Sequence, residues 1–364
     1  MERRAFLRLA GVAALASLAC TSKSGIANYE DAVRRTWRQG GNKLGNRPAV
    51  MQELVRCATL APSSHNTQCW KFLLEEHSIS VLPDLARRCP AVDPDDHHLF
   101  VSLGCAAENL ILAGLANGLR GEACFEPAAA GRLRISLEPA KAIVSPLFQA
   151  LPERQCTRTE FDGKPLSNED LKMLEQAGTG QGVRVLLLTG KAAMEKVLEY
   201  VIAGNTTQMH DPAFVQELKA WIRFSREEAV RTGDGLFSGA TGNPSVPRWL
   251  GSLLFGMLFT PKSENDKYAK QIRSSSGIAI FLSEVEDKAH WVEAGRCYER
   301  FALQSAAMGI RNAMINQPVE VPALRPRFAA ALDLDSHRPD LVVRFGRGPK
   351  MPKSLRRPVQ AVLA

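Results

Sequence analysis

The chain has 364 residues, 45% of them hydrophobic and 23% charged, an ordinary composition for a globular protein with room for one large domain or two average ones. Its formal net charge of +8 owes three units to Arg3, Arg4, Arg8 and Lys23 against Glu2, all within the first 25 residues. The remaining excess is modest, and no window interleaves Lys or Arg with exposed-looking aromatics in the way a nucleic-acid platform would, which sets aside a nucleic-acid partner.

The N-terminus reads as an address. Arg3-Arg4-Ala5-Phe6-Leu7-Arg8 matches the twin-arginine export pattern, and the apolar run Leu9 to Ala19 is too short to span a bilayer. Residues 1–25 are therefore expected to be a signal peptide and the mature protein to be periplasmic. Cys20 is a candidate lipidation site, although Ser17-Leu18-Ala19 before it fits the usual lipobox poorly. Eight cysteines occur without a C-x-x-C pair or a metal-like spacing, so they read as small buried residues rather than as a disulfide or metal framework.

After the signal, Asn28 to Gln39 reads as a helix ending in the basic cluster Arg34-Arg35-Thr36-Trp37-Arg38, broken by Gly40-Gly41. A second helix, Ala49 to Leu60, leads into Ala61-Pro62-Ser63-Ser64-His65-Asn66-Thr67-Gln68-Cys69-Trp70-Lys71-Phe72. This elbow of small and polar residues lies between a helix pattern and a strand pattern. Strands follow at Trp70 to Glu75 and Ile79 to Leu82. Leu99 to Leu119 is a nearly all-apolar helix pattern, which predicts burial on every side. Arg132 to Glu138 reads as a strand.

The pattern then starts again. Gly104-x-x-x-Glu108-x-x-x-Leu112-x-x-x-Ala116-x-Gly118-x-Arg120 recurs ungapped as Gly295-x-x-x-Glu299-x-x-x-Leu303-x-x-x-Ala307-x-Gly309-x-Arg311, at a constant offset of 191. Arg34 to Arg38 is likewise echoed by Arg154-Gln155-Cys156-Thr157-Arg158. The chain reads as two copies of one helix–strand unit, residues 26–150 and 151–364. The second copy has only Gly178-Thr179-Gly180-Gln181-Gly182 where the first has its elbow. It also carries an insertion at about 195–272, with a helix from Phe214 to Val230 and a Gly-rich apolar stretch from Gly233 to Pro261. Long insertions of this kind serve as lids or binding loops. Strands at Gly277 to Ser283 and Leu341 to Phe345 precede a tail ending in Arg356-Arg357-Pro358.

From residue chemistry alone, Arg154, Arg158, Arg356 and Arg357 offer forked donors suited to a phosphate, and Pro62, Ser63, Ser64 and Asn66 offer hydroxyl, amide and backbone groups. A phosphorylated aromatic ligand where the halves meet is one reading; solvated arginines beside an ordinary turn is the other. The elbow resembles the A-P-S-x-x-N-x-Q-P-W-x-F signature of the nitroreductase family of FMN-dependent oxidoreductases. The arginine echoes are similar to that family's R-x-S-x-R motif, and the 28 residues from Arg34 to Pro62 suit its spacing. The tail is similar to its closing strand and basic end.

That resemblance implies an α+β nitroreductase-like fold. It further implies the single-chain, Acg-like branch, in which two tandem copies form an intramolecular pseudo-dimer, a monomer imitating the family's homodimer, with the insertion as lid. It implies one FMN site, built from the elbow of copy one and the arginines of copy two. Arg154, Arg356 and Arg357 are expected on the phosphate, with Cys156 in the same motif. Arg158 is expected at the ring, where its charge raises the reduction potential. Ser63, Ser64, Asn66 and Gln68 would approach the ring or ribityl chain, and Asn316-Gln317-Pro318 would supply a backbone donor. The implied activity is ping-pong reduction of a small nitroaromatic, quinone or similar acceptor from an unidentified donor. The alternative is a flavin-sequestering protein without turnover.

Two letters depart from the family pattern: Cys69 replaces a Pro in the elbow, and Cys156 replaces a Ser, exchanging a hydroxyl for a poorer donor. Gly178 to Gly182 lacks dinucleotide spacing and follows a helix. Asp95-Asp96-His97-His98 reads as a capped helix start rather than a metal site.

Overall fold

The computed structural model of the chain describes residues 25–41, 46–128, 130–334 and 337–364, so the signal reading and Cys20 lie outside the described residues. Helix α1 covers 25–36. Asn46 caps α2 (Arg47–Thr59), its side chain accepting from the Ala49 amide at 3.0 Å, and a proline in the first turn presets φ. The elbow follows, then the hairpin β1 (Trp70–Leu74) and β2 (Ser78–Pro83).

Helix α3 (His97–Ala116) is buried around nearly its whole circumference, as its apolar sequence requires. Its cap differs from expectation. Asp95 accepts from the His97 amide at 3.4 Å, as expected of a cap, but Asp93 receives the amides of His98 and Leu99 at 3.0 and 2.9 Å, and Asp96, in the left-handed region, makes no capping bond. Gly118, at φ +78°, ends the helix earlier than the sequence pattern indicates and starts β3 (Leu119–Glu126), which pairs with β4 (Arg132–Pro139). β3 escapes sequence reading because Gly121 and Ala123 give it little strand propensity.

The second half runs through α4 (Pro146–Ala150), α5 (Asn168–Ala177) and β5 (Val183–Leu188) into the insertion. That insertion comprises α6 (Lys191–His210), α7 (Pro212–Trp221), β6 (Ile222–Arg223), α8 (Arg226–Thr232), β7 (Leu236–Phe237), α9 (Arg248–Leu258) and α10 (Pro261–Arg273). The single helix expected from Phe214 to Val230 is thus two. Arg223 pairs in a short parallel ribbon with Phe237, and Ser225 recaps α8 by accepting from the Glu228 amide. The Gly-rich apolar stretch from Gly233 to Pro261 contains α9. Then come β8 (Gly277–Ser283), α11 (Lys288–Ala307), β9 (Arg311–Met314), α12 (Gln317–Glu320), α13 (Arg325–Ala331) and β10 (Arg338–Gly346).

Two four-stranded antiparallel sheets result, ordered β1-β2-β4-β3 and β5-β8-β10-β9. Matching β1, β2, β3 and β4 to β5, β8, β9 and β10 makes the orders identical. Between the sheets α3 and α11 pack backbone to backbone. A Cβ on Gly104 would lie 1.9 Å from the Val292 carbonyl oxygen, and one on Gly295 1.9 Å from that of Val101. Val101 and Val292 are themselves 191 residues apart, so the contact is reciprocal. One apolar core runs from α2 and α3 through α11 to β8 and β10, and a smaller one joins α6, α13 and the outer face of the second sheet.

The arginine echoes do not share a conformation. Arg34 to Thr36 end a helix, whereas Arg154 to Arg158 run as irregular chain, with Cys156 bridged to Asn312 and the Thr157 amide on the Asn312 carbonyl at 2.8 Å. Different partners hold them: α1 packs Tyr29 on Phe237, whereas the later segment runs alongside Asn312 as extended chain.

Candidate functional site

Helix α2 ends on three carbonyls that no helical amide can reach. Arg356, from the C-terminal tail, donates to the Thr59, Leu60 and Ala61 oxygens at 2.6, 3.0 and 3.0 Å. Arg154 adds a second donor to Leu60 at 2.8 Å and lies 3.3 Å from the Glu299 carboxylate on α11. Arg154 is nearly fully buried, yet its Nε and Nη1 have no hydrogen-bond partner.

Beyond Ala61 the elbow holds an unusual backbone. His65, Asn66 and Gln68 all have φ near +50°, which is costly for non-glycine residues. Side chains hold them there. Ser63 Oγ accepts from the Gln68 amide at 2.9 Å. Asn66 Nδ2 donates to the carbonyls of Gly235 in the insertion and Leu355 in the tail, at 2.9 and 3.2 Å. Gln68 donates to Gly233 at 2.9 Å and accepts from the Arg357 amide at 2.8 Å. Asp234, between those glycines, pairs with Arg87 and with Arg223 at 2.7 Å, and both guanidinium groups lie over Trp221.

Elbow, arginine segment, insertion and tail border a half-open cleft of about 510 Å³, a volume that includes the solvent at its mouth. Pro62, Ser63 and Asn66 line it from the first half and Arg154, Gln155, Cys156 and Arg158 from the second. Leu236 and Ala240 of the insertion, Trp37, and Pro352 to Ser354 with Arg356 complete the wall. The segment carrying Arg158 is fixed by Arg344 of β10, a buried guanidinium that donates to the Thr157 and Thr159 carbonyls at 2.9 and 2.8 Å. Arg158 itself makes no side-chain hydrogen bond or ion pair among the described residues.

The lining carries four cations and no acid, with Glu299 behind Arg154 as a partial counter-charge. Burial and the neighbouring Arg154 depress the Arg356 pKa to about 9, and burial depresses that of Lys353 to about 7. Both cations also lie over the Trp37 ring, Lys353 Nζ at 4.2 Å and the Arg356 guanidinium carbon at 4.9 Å from its centroid. The acid beneath, Glu299, is fully buried, and desolvation raises its pKa to about 7. His65 has an orphaned, buried Nε2, and burial together with the Arg158 charge lowers its pKa to about 4, so it stays neutral. Free donor capacity on a buried guanidinium, beside an Arg356 and a Lys353 whose charged forms burial disfavours, is the environment an anionic group would relieve, and these residues fit a phosphate.

The equivalent place in the second half is closed. There Arg300 of α11 reaches the Ala177 and Thr179 carbonyls at 3.3 and 3.4 Å, and it is neutralised by Glu108 and Glu293 at 3.1 and 3.3 Å. A side chain on Gly180 would strike Glu293, Cys297 and Arg300.

Of the residues expected at the site, Pro62, Ser63, Asn66, Arg154, Cys156, Arg158 and Arg356 meet at this cavity. Ser64 does not line it; its carbonyl instead closes a turn with Thr67. Gln68 and Arg357 form the clamp behind it. Arg357, expected on a phosphate, donates to the Gln68 and Trp70 carbonyls, at 2.7 and 3.5 Å, because the tail reaches the start of β1 at that point. Asn316 accepts from the Val342 amide at 2.9 Å, and Gln317 is buried; neither lines the cavity. Cys69 points into the core, its thiol pKa pushed up to about 12 by burial, so the loss of proline there leaves the cavity wall untouched. The seven described cysteines are free thiols. Trp37, Lys353 and Arg344 were missed. Only the basic and aromatic content of their segments hinted at them.

No protein-family model matches the chain. It is similar to two Mycobacterium tuberculosis proteins. One is named "Putative NAD(P)H nitroreductase Rv3131", 23% identical over 82% of this chain and 86% of its own length; the other carries the same description with the name acg, 22% identical over 86% and 95%. Among solved structures, a Bacteroides fragilis nitroreductase with bound FMN is 13% identical over 56% of this chain and 88% of its own, with a TM-score of 0.35. The Mycobacterium smegmatis nitroreductase NfnB in complex with NADPH is 14% identical over 56% and 89%, with a TM-score of 0.36. The likeness to nitroreductases, the Acg protein included, thus extends over more than four fifths of the sequence.

Proposed function

We propose that this chain, a relative of the nitroreductases, is an FMN-dependent oxidoreductase that reduces a small nitroaromatic, quinone or similar acceptor in alternating half-reactions. The observation that carries the proposal is Arg154: a buried guanidinium whose Nη1 has no partner and whose Nε faces only the Glu299 carboxylate, on a cavity that also receives Ser63, Arg158 and Arg356. FMN, when bound, supplies the exchange of a hydride or electrons between donor and acceptor. The chain supplies the rest. Arg154 and Arg356 hold the phosphate, with Lys353 adding charge. The Ser63 hydroxyl, whose oxygen already accepts from Gln68, keeps its own proton to donate to the ligand. Arg158 brings an unpaired positive charge to the ring, favouring the reduced anionic form. Leu236 and Ala240 of the insertion exclude water, which is the role of a lid.

In the same reading the chain is a monomer imitating a dimer. Identical strand orders and the reciprocal glycine contacts of α3 and α11 support two tandem copies, 26–150 and 151–364. Arg300 and its two acids account for the loss of one of the two sites that such a symmetry generates. The twin-arginine motif at Arg3-Arg4 supports export to the periplasm. There the nicotinamide donor named for its relatives is scarce, and a quinol or an electron-transfer protein takes its place.

The purified protein should show flavin bands near about 370 and 450 nm, a property of the cofactor itself, and should lose them on anaerobic reduction and regain them with a nitroaromatic or quinone. It should also bind FMN at least about tenfold more tightly than riboflavin, a difference of about 1.4 kcal/mol for one charge-assisted contact. Equal affinities would remove the arginines from the phosphate. Bound flavin that resists reoxidation would favour sequestration.

A further inference from the structure

We propose that Asp93, His97 and His98 form a binding site for one divalent transition-metal ion, zinc by its donor set, separate from the cavity. The three residues open α3, and one donor atom from each falls within 4.8 Å of those of the other two. All three side chains are buried, and none lines the cavity. Asp95 and Asp96, their neighbours in sequence, have other partners: Asp95 pairs with Arg338 at 3.3 Å and Asp96 with Arg88 at 2.9 Å. The third donor is Asp93, which the sequence pattern does not single out.

Hydrogen bonds decide which ring nitrogens are free. His98 Nε2 lies 3.2 Å from the Asp340 carbonyl oxygen, which only accepts, so that nitrogen carries the proton and Nδ1 carries a lone pair. His97 Nε2 lies 2.9 Å from Asp340 Oδ1, and its Nδ1 is buried without a partner. His98 Nδ1 faces Asp93 Oδ1 at 3.8 Å, beyond hydrogen-bond reach. Asp93 receives two amides, yet among the described residues it has no charged partner except His98. A lone pair of an imidazole thus faces a buried carboxylate, with a second unpartnered imidazole nitrogen beside them. Burial raises the Asp93 pKa to about 7 and favours neutral rings at His97 and His98, the state in which imidazole binds metal.

The surrounding charges leave room for a cation. Arg325 and Arg338 are matched by Asp95, Glu286 and Asp340, and Glu320 adds a further acid close enough to His98 to favour its charged form. The outer bonds also follow the pattern of metal-bound histidines, whose second nitrogen donates to a carboxylate or carbonyl that fixes tautomer and orientation. Here one residue, Asp340 of β10, supplies both, and Ser283 donates to its other carboxylate oxygen. Two imidazoles and a carboxylate suit zinc. Zinc–donor distances of about 2.0–2.2 Å set tetrahedral donors roughly 3.3–3.6 Å apart, so the 3.8 Å pair is nearly in place. An ion here would fasten the start of α3 to β10 of the second half. The inference does not depend on flavin.

The test uses the untagged full chain, stripped with a chelator, titrated with zinc chloride and freed of loose metal by gel filtration. One equivalent of zinc per chain should be retained, and X-ray absorption at the zinc edge should show two imidazoles and no sulfur. His97→Gln and His98→Gln keep an N–H near the place of Nε2, and with it the bonds to Asp340, but remove Nδ1. Each should weaken zinc binding at least about a hundredfold, at or beyond the 10–100-fold typical of losing an outer-shell partner, while circular dichroism of the metal-free protein stays as in the wild type. The wild-type absorption spectrum decides the donor set even where a variant fails to fold. A sulfur neighbour at about 2.3 Å would place the ion at Cys89, beside His65 and Glu217, and overturn the proposal. Failure of the wild type to retain zinc would overturn it and leave a proton as the cation that the cluster holds. Binding undiminished in both variants would overturn it as surface binding.

Discussion

Arg154 and Arg356 donate to the same oxygen, the Leu60 carbonyl, at 2.8 and 3.0 Å. Two buried like charges converging on one neutral acceptor are stable only where something else balances them. Glu299, its pKa raised by desolvation, balances them in part. The pair therefore defines where an anion belongs, and the neighbouring Lys353 makes its binding depend on pH.

Lys353 has a pKa of about 7 in the ligand-free protein because of burial, and a phosphate beside it will raise that value. A group whose pKa rises on binding contributes affinity that is fully present below its free pKa and is lost as pH rises through its bound pKa. FMN affinity, measured by fluorescence quenching between about pH 6 and 9, should accordingly be flat at the acid end and fall above pH 7. One linked proton limits the fall to at most about tenfold per pH unit. Lys353→Met should bind more weakly at low pH and lose the slope.

Asn66 fastens the strained elbow to both the insertion and the tail. Asn66→Ala leaves the Gly235 and Leu355 carbonyls buried without their donor, a loss of about 1–3 kcal/mol. Hydrogen exchange of Gly233 to Thr241 should quicken more than that of α3 or α11. Uniform acceleration across the chain would mean that Asn66 serves global stability and not the clamp.

Arg344 holds the Thr157 and Thr159 carbonyls from within β10. Arg344→Met should destabilise the chain by about 2 kcal/mol in urea unfolding, two buried acceptors being orphaned. It should also weaken FMN binding, although residue 344 does not line the cavity. Unchanged affinity would show that the Arg158 segment keeps its shape unaided.

Gly104→Ala and Gly295→Ala each force a methyl group into a carbonyl of the facing helix. Backbone cannot swing aside as a side chain does, so each should cost about 3 kcal/mol. The reciprocal geometry predicts nearly equal losses. A large difference would mean that the two helices do not meet symmetrically in solution.

Arg158→Ala removes the one cavity cation without a partner. The flavin midpoint potential should become more negative by on the order of 30 mV, equivalent to about 1.4 kcal/mol for two electrons, with little change in thermal stability. An unchanged potential would take Arg158 away from the ring.

What the sequence determined by itself were features carried by local chemistry and spacing. Helix and strand patterns located α2, β1, β2, β4, β8 and β10, a nearly all-apolar run located α3, and its echo 191 residues later located α11. The constant offset of 191 raised the expectation of two copies of one helix–strand unit; the shared strand order and the glycine contacts of α3 and α11 were seen only in the structure. The elbow motif picked out Ser63 and Asn66, and the forked donors picked out Arg154, Arg158 and Arg356. Tertiary structure decided the rest, because it depends on which surfaces meet. Arg34 and Arg154 sit in similar letters, yet one ends a helix and the other lies in irregular chain. Arg357 was drawn to the carbonyls at the start of β1, while Arg356, one residue earlier, closed α2. The positive φ angles of His65, Asn66 and Gln68 are held by contacts 165 to 289 residues away, a distance over which sequence spacing carries no signal. Cys69, a doubtful letter in the motif, turned inward to the core, where a thiol packs as a small apolar group.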